Sequence, residues 1–253
     1  MLGALIVVLA AVIGDVDRVV LIRNDSSTVS CAVADDYAHK RGVHNIVSVR
    51  CRDSAEEPTN ETIPYADYLE GIEGPLRAFL ASHPQIDFIV LTKGVPIRIE
   101  GAPGIGVGNV RPSLDSYLAA LDYDKDPRAI RVTFPAADFV GTAWQNRFWN
   151  SNLPFSHAEF GGYLVTRLDG FSEADARAMI DRALAAERRP HKGRVLLDTN
   201  PAYDHGGWME FKRRHEARCG ESVQPTRVRR AGREAQVCGQ EVRSHRLRVL
   251  GKQ

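Results

Sequence analysis

Residues 86–99 read IDFIVLTKGVPIRI, and the fold of the chain turns on that stretch. Ile86 to Leu91 is a short, mostly apolar, β-branched run, the pattern of a strand buried on both faces of a parallel sheet. Thr92-Lys93-Gly94 closes it with a polar, glycine-centred turn, and Val95 to Ile99 continues extended. Upstream, Val19-Val20-Leu21-Ile22 is a second run of the same kind. Asn24-Asp25-Ser26-Ser27 follows it and can cap a helix. Val29, Val33 and Tyr37 then recur at helical spacing, and Gly42 is placed to end that helix. Asn45 to Arg50 reads as the next strand. A polar loop from Asp53 to Thr62 leads to Pro64, suited to a first helical turn. Tyr65, Tyr68, Leu69, Ile72, Leu76, Phe79 and Leu80 mark one apolar helical face. Gly74-Pro75 interrupts that face and predicts a kink or two abutting helices, and Pro84 stops it.

Downstream, Ser113 is expected to cap a short helix carrying Leu114, Leu118 and Leu121. Residues 123–160 show no clear period, so 101–160 reads as a long irregular excursion over the sheet edge, and loops of that length are commonly functional or covering. Tyr163-Leu164-Val165 is another strand. Ser172 to Asp175 resembles a capping box, and Ala176, Met179, Ile180, Ala183 and Leu184 form a helical stripe that Pro190 ends. Arg194 to Leu197 is the next strand, turned out of by Asp198. Strands alternating with helical stripes predict an α/β fold: three layers, a mostly parallel sheet with helices on both faces, Rossmann-like or flavodoxin-like, with right-handed crossovers over residues 15–211.

The chain has 253 residues, 43% hydrophobic and 26% charged, as expected of a globular protein with a real core. Its formal net charge of +1 is a cancellation, because residues 212–253 carry +8 and residues 1–211 carry −7. The basic segment from Lys212 to Gln253 contains no Phe, Tyr, Trp, Ile, Asp or Asn. It reads either as a disordered tail for nucleic acid or another polyanion, or as translation out of frame. The second reading is preferred, because arginine-rich tails that bind such partners usually carry Lys and aromatics as well. Nucleic acid is therefore a partner only if the tail is genuine. At the other end, Leu2 to Ile13 is an apolar run too short to span a bilayer. Residues 1–14 read as a clipped export signal or as a buried strand behind an early start. The signal is favoured, since Arg18 to Arg23 already supplies the first strand and two parallel strands so close would lack a crossover. Export is thus expected, with a cytoplasmic location as the alternative, and no stable membrane span.

The four cysteines form no C-x-x-C pair, which excludes a zinc framework and a dense disulfide scaffold. A Cys31–Cys51 bridge or two free thiols remain, the thiols being preferred. Gly104 to Gly108 lacks G-x-G-x-x-G spacing. Asp122, Asp124 and Asp126 lack the glycine and glutamate of a calcium loop. The histidines show no metal spacing, and no G-x-S-x-G elbow is present. No metal and no cofactor are expected. What stands out is position. In open parallel sheets ligands bind beyond the carboxyl ends of the strands, where Lys93, Arg98, Arg167 and Asp169 lie. Asp115 joins them if its helix returns over the Ile86–Leu91 strand. Lys93 before Gly94 suits an anionic small molecule or a carbonyl group. Arg167 and Asp169 could pair with each other or face that ligand.

Phe88 to Ile99, with its TKGVPIRI core, then Ser113 to Ser116, then Tyr163 to Gly170 (YLVTRLDG), with Asp181 to Ala185, resemble a bacterial family of uncharacterised proteins whose members often carry export signals. The likeness covers Arg18 to Lys212, and the specific order of motifs carries it. It implies the fold and its extent. Family members extend further, with strands weakly similar to caspase-like and gingipain-like cysteine peptidases, and this chain departs from them there, in agreement with the frame reading. Two functions are weighed. One is a hydrolase-like α/β domain whose five candidate side chains converge in one pocket. The other is a non-catalytic ligand-binding or surface-interaction domain, favoured by the lack of a recognisable nucleophile–base pair.

Overall fold

The structure, a computed structural model, describes residues 14–102, 112–136, 139–149, 151–188, 196–197, 225–230 and 233–238. The apolar segment 1–13, the glycine-rich stretch 104–108, Pro190 and Asp198 lie outside the described residues. The chain divides into two units, Met1–Ala183 and Leu184–Gln253.

In the first unit a 3-10 turn (Asp15–Arg18) leads to β1 (Val19–Asn24), α1 (Thr28–Arg41) and β2 (Ile46–Val49). Next come a 3-10 turn (Pro58–Glu61), β3 (Thr62–Pro64), α2 (Tyr65–Tyr68), a π turn (Leu69–Glu73), α3 (Gly74–Leu80) and β4 (Phe88–Thr92). β5 (Arg98–Glu100), α4 (Leu114–Ala119), β6 (Arg131–Ala136), β7 (Phe139–Trp144), α5 (His157–Phe160), β8 (Leu164–Leu168) and α6 (Glu173–Glu187) follow. The main sheet has the order β2-β1-β4-β8, every pair parallel, as the alternation of strands and helices predicts.

The order explains the layers. From β1 to β2 the chain moves one way across the sheet, and from β2 to β4 it reverses and passes over β1. Right-handed crossovers then place α1 on one face and the α2–α3 segment on the other. α4 joins the second face, where Tyr117 packs edge-on against Tyr65 and Tyr68. α6 lies beside α1, with Asp36 bridging Lys40 (2.8 Å) and Arg177 (3.3 Å). Val20, Leu21 and Ile22 of β1 and Ile89, Val90 and Leu91 of β4 are all buried, because these two inner strands are covered on both faces. At their amino ends Arg18 donates to Asp87 (2.6 Å) and to the Phe155 carbonyl (2.7 Å), tying the two strands to the segment before β8.

Local chemistry accounts for the helix ends. Ser27 accepts the Ser30 amide at 3.1 Å, and Gly42 ends α1 in the left-handed region at φ 71°. Gly74-Pro75 acts through a widened turn and not a sharp break. The Gly74 amide reaches back five residues to the Leu69 carbonyl, so the missing Pro75 N–H falls where the ladder is already displaced. Ser172 and Asp175 form the expected reciprocal cap, each accepting the other's amide, at 3.2 and 3.0 Å.

Val95 to Ile99 runs on from β4 into β5, which pairs in parallel with β3 as a separate two-stranded ladder. Three expectations are corrected. Ser113 occupies the cap position of α4, but its side chain makes no capping bond. The helix start is held by its backbone instead, the Leu114 amide donating to the Ile97 carbonyl at 2.8 Å. The excursion 101–160 is not irregular throughout. It contains α4, the antiparallel β6–β7 hairpin and α5. Phe148, Phe155 and Phe160 gather there with ring centroids 5.1–5.9 Å apart, and a compact aromatic knot of this kind imposes no period on the sequence.

The second unit also departs from the expected pattern. Its described part holds the end of α6, then β9 (Leu196–Leu197), β10 (Pro225–Arg230) and β11 (Arg233–Cys238). β9 was expected to extend the parallel series, but it pairs antiparallel with β11. Within the basic stretch, β10 and β11 form an antiparallel hairpin with Arg230 opposite Arg233. Among the described residues no helix is long and apolar enough to cross a membrane.

Candidate functional site

The strand order reverses between β1 and β4, and a doubly wound sheet usually opens its crevice at that point. Here side chains fill it. Asn24, at the carboxyl end of β1, is 0% exposed. Its Oδ1 accepts the amides of Ser26 (3.1 Å) and Cys51 (3.3 Å). Its Nδ2 donates to the carbonyls of Gly94 (2.9 Å), Cys51 (3.2 Å) and Arg52 (3.4 Å). Ser30 and Thr92 bond through their hydroxyls at 2.6 Å beside it. Gly94 turns at φ +98°, with space for no side chain. A buried polar network with every member satisfied is rigid, so the loops after β1, β2 and β4 are locked together.

Of the five candidate residues, four form two pairs near the ends of the neighbouring strands β4 and β8, Lys93 with Asp169 and Arg167 with Asp115. Lys93 is 8% exposed. Its Nζ donates to the Gly170 carbonyl at 2.8 Å and lies 3.4 Å from Asp169 Oδ1. Arg167 holds Asp115 at 2.6 and 3.3 Å and donates to the carbonyls of Val95 (2.6 Å) and Pro96 (2.9 Å). Arg167 and Asp169, two residues apart in the YLVTRLDG motif, thus each take a partner from another element. Arg98 stands apart, 47% exposed at its side chain, bonded to Glu61 at 2.8 Å. Lys93 and Arg167 are consumed by fixing the turn Lys93–Pro96 and the loop after β8. Removing one partner of such a pair strands the other. Asp115→Ala is expected to lower the unfolding free energy by about 2–3 kcal/mol, read by urea denaturation, since Arg167 keeps only 11% side-chain exposure. A change below about 0.5 kcal/mol would show the pair to be ornamental.

Cys51 is held from ionising. Cys31 and Cys51 are both free. Burial pushes the Cys51 thiol up to about 12 from 9.0, with Asp53 adding to the shift and Arg167 opposing it. At neutral pH it is therefore a thiol, not a thiolate. The folded state favours the protonated form, so its contribution is complete below pH 9 and is lost as pH rises from 9.0 toward 12. Wild type is expected to lose more stability than Cys51→Ala between pH 8.5 and 10.5. Parallel pH curves for the two would contradict the shift.

A second polar cluster lies at the amino ends of the strands. Arg77 joins Glu73 (2.6 Å) and Asp122 (2.7 Å), and Tyr163 donates to Asp122 at 3.2 Å. Asp126 is held by Arg128 (3.0 Å) and Arg147 (3.1 Å). Its carboxyl sits below the usual range because of the Arg128 hydrogen bonds. The Asp122 and Asp126 carboxylates are neutralised by arginine, so they are not free to ligate calcium. Among the described residues no group of acidic, His or Cys side chains could hold a metal.

The open space is elsewhere. A cavity of about 560 Å³ lies at the carboxyl end of β2. One wall is Asp25, Ser48, Arg50, Cys51 and Arg52. The other is Asp67, Glu70, Gly71 and Pro75 of the α2–π–α3 segment, with Ile63 between. None of the five candidate residues lines it. The rule that singled out Lys93 and Arg167 would also have found Arg50 and Arg52, which directly follow the second strand. Asp67 and Glu70 left no such signal, because they read as the solvated side of a helix. No family model, no curated protein and no solved structure matches this chain.

Proposed function

We propose that this domain binds a small polar ligand in the cavity at the carboxyl end of β2 and carries out no covalent chemistry of its own. The observation behind this reading is the cavity itself. It sits beyond the strand ends, it offers charged side chains of both signs, and its volume falls within the range of small-molecule sites. The hydrolase-like alternative is the weaker of the two. Its acid–base groups Lys93, Asp115, Arg167 and Asp169 are held in internal pairs, and the nearby thiol resists ionisation.

The test is a screen of amino acids, short peptides, sugars and inorganic anions by chemical-shift perturbation on the full chain. Ser48→Trp serves as the control, since Ser48 is an exposed residue on the cavity wall. A binder is expected to move the resonances of Arg50, Gly71 and Pro75, and Ser48→Trp is expected to abolish the effect with the fold retained. Compounds that perturb only Lys93, Arg167 and Asp169, indifferent to Ser48→Trp, would overturn this reading in favour of the crevice between β4 and β8.

A further inference from the structure

Charge accounting within the cavity narrows the ligand. Of the five charged residues on its walls, Asp25 is engaged by Arg23 at 2.9 Å. Arg52 and Asp67, from the two walls, stand 4.0 Å apart. Arg50 and Glu70 are left, and neither makes an ion pair or a side-chain hydrogen bond with any described residue. They come from opposite walls. Arg50 follows β2, and Glu70 lies in the π turn, whose Gly71 presses against the Arg50 carbonyl so closely that a Cβ there would stand 2.8 Å from it. The same close approach fixes the two backbones relative to each other. The site therefore offers one cation and one anion from its two walls.

Resting on the binding reading above, we infer that the ligand is a small zwitterion of the α-amino-acid or short-peptide kind, its carboxylate taken by Arg50 and its ammonium by Glu70. A guanidinium matches a carboxylate with two parallel donors. A glutamate accepts from an ammonium in the same charge-assisted way. A purely anionic ligand would meet Arg50 but also face Glu70, and a purely cationic one the reverse. Each would leave one wall charge desolvated without a partner, which is how a site rejects a ligand lacking the matching group. A volume of about 560 Å³ leaves room for more than a single free amino acid.

The experiment uses three probes on the full chain: trialanine, N-acetyl-trialanine and trialanine amide. They share a backbone and differ only in which terminal charge is present. Titrations followed at the Arg50, Gly71 and Pro75 resonances are expected to rank trialanine first, with each capped form weaker by about five- to tenfold. Arg50→Gln should erase the difference between trialanine and its amide while keeping that against the acetylated form. Glu70→Gln should do the converse. Both residues are exposed, so the variants are expected to keep the wild-type Tm. Equal binding of all three probes, or an Arg50→Gln variant that still discriminates against the amide, overturns the zwitterion. No response to any of the three overturns it too, while the cavity reading stands if another compound of the screen binds there.

Discussion

Asn24→Leu is expected to cost about 3–5 kcal/mol of unfolding free energy, the largest loss of any single polar replacement in the domain. Leucine matches asparagine in reach but returns none of its bonds. Two backbone amides, of Ser26 and Cys51, lose their acceptor, and three carbonyls, of Gly94, Cys51 and Arg52, lose their donor. Each orphaned group that water cannot reach costs about 1–3 kcal/mol, and the Gly94 carbonyl bond is the most enclosed. The loops at the Cys51 and Arg52 end border the cavity, where water offsets part of the loss, so the sum stays below the simple total. The midpoint of urea unfolding should fall with little change in slope. Asn24→Asp separates shape from bonding. It keeps the acceptor but aims a carboxylate at three carbonyls, and it should be no better than leucine. A loss under about 1 kcal/mol for both variants would mean that the loops after β1, β2 and β4 hold themselves without Asn24.

Gly94→Ala is expected to be as damaging, at about 3–5 kcal/mol, for a steric reason. A φ of +98° is unfavourable for any residue with a Cβ, and the added Cβ would stand 2.5 Å from Ser27 Oγ, 3.0 Å from Ser27 Cβ and 3.1 Å from Ser30 Cβ. Backbone strain of about 1–3 kcal/mol adds to overpacking of about 1–3 kcal/mol. The two contributions can be separated. Ser27→Gly removes the atoms in closest conflict at the expense of the α1 cap, about 1 kcal/mol. If the clash is real, Gly94→Ala combined with Ser27→Gly should be less destabilised than the sum of the single variants by about 1–2 kcal/mol. Strict additivity would assign the whole effect to φ and remove Ser27 from the account.

The parallel sheet was legible because burial on both faces leaves a continuous apolar run, as in Val19–Ile22 and Ile86–Leu91, and because Gly42 and the Ser172–Asp175 box mark helix ends by local chemistry. The widened turn was legible only as a break at Gly74-Pro75. Its effect on facing was not. Tyr68, Ile72 and Leu76 recur every fourth residue, a spacing that drifts around an α-helix, and the π turn takes up the drift so that all three are buried. Leu69, grouped with them by sequence, turns out 38% exposed. The β3–β5 ladder was hidden because three-residue strands carry too little pattern to register. Of the candidate residues, Lys93 and Arg167 were legible as strand-end groups of the neighbouring strands β4 and β8, but their partners were not, and the open cavity lies beside β2. Which carboxylate a cation takes depends on side-chain reach across loops, so the sequence left open whether Arg167 pairs with Asp169, whereas each takes another partner.

The strand order has a consequence for where the domain opens first. β1 and β4 each have two neighbours in the sheet, whereas β2 and β8 have one among the described residues. Amide protons bonded between β1 and β4 therefore require opening of the centre of the sheet before deuterium can enter, and their exchange rates report global unfolding. Those of the border strands are released by peeling, at lower free energy. A ligand seated beside β2 would slow deuterium uptake along that border while leaving the centre unchanged, so isotope labelling would reveal occupancy of the cavity without knowledge of its occupant.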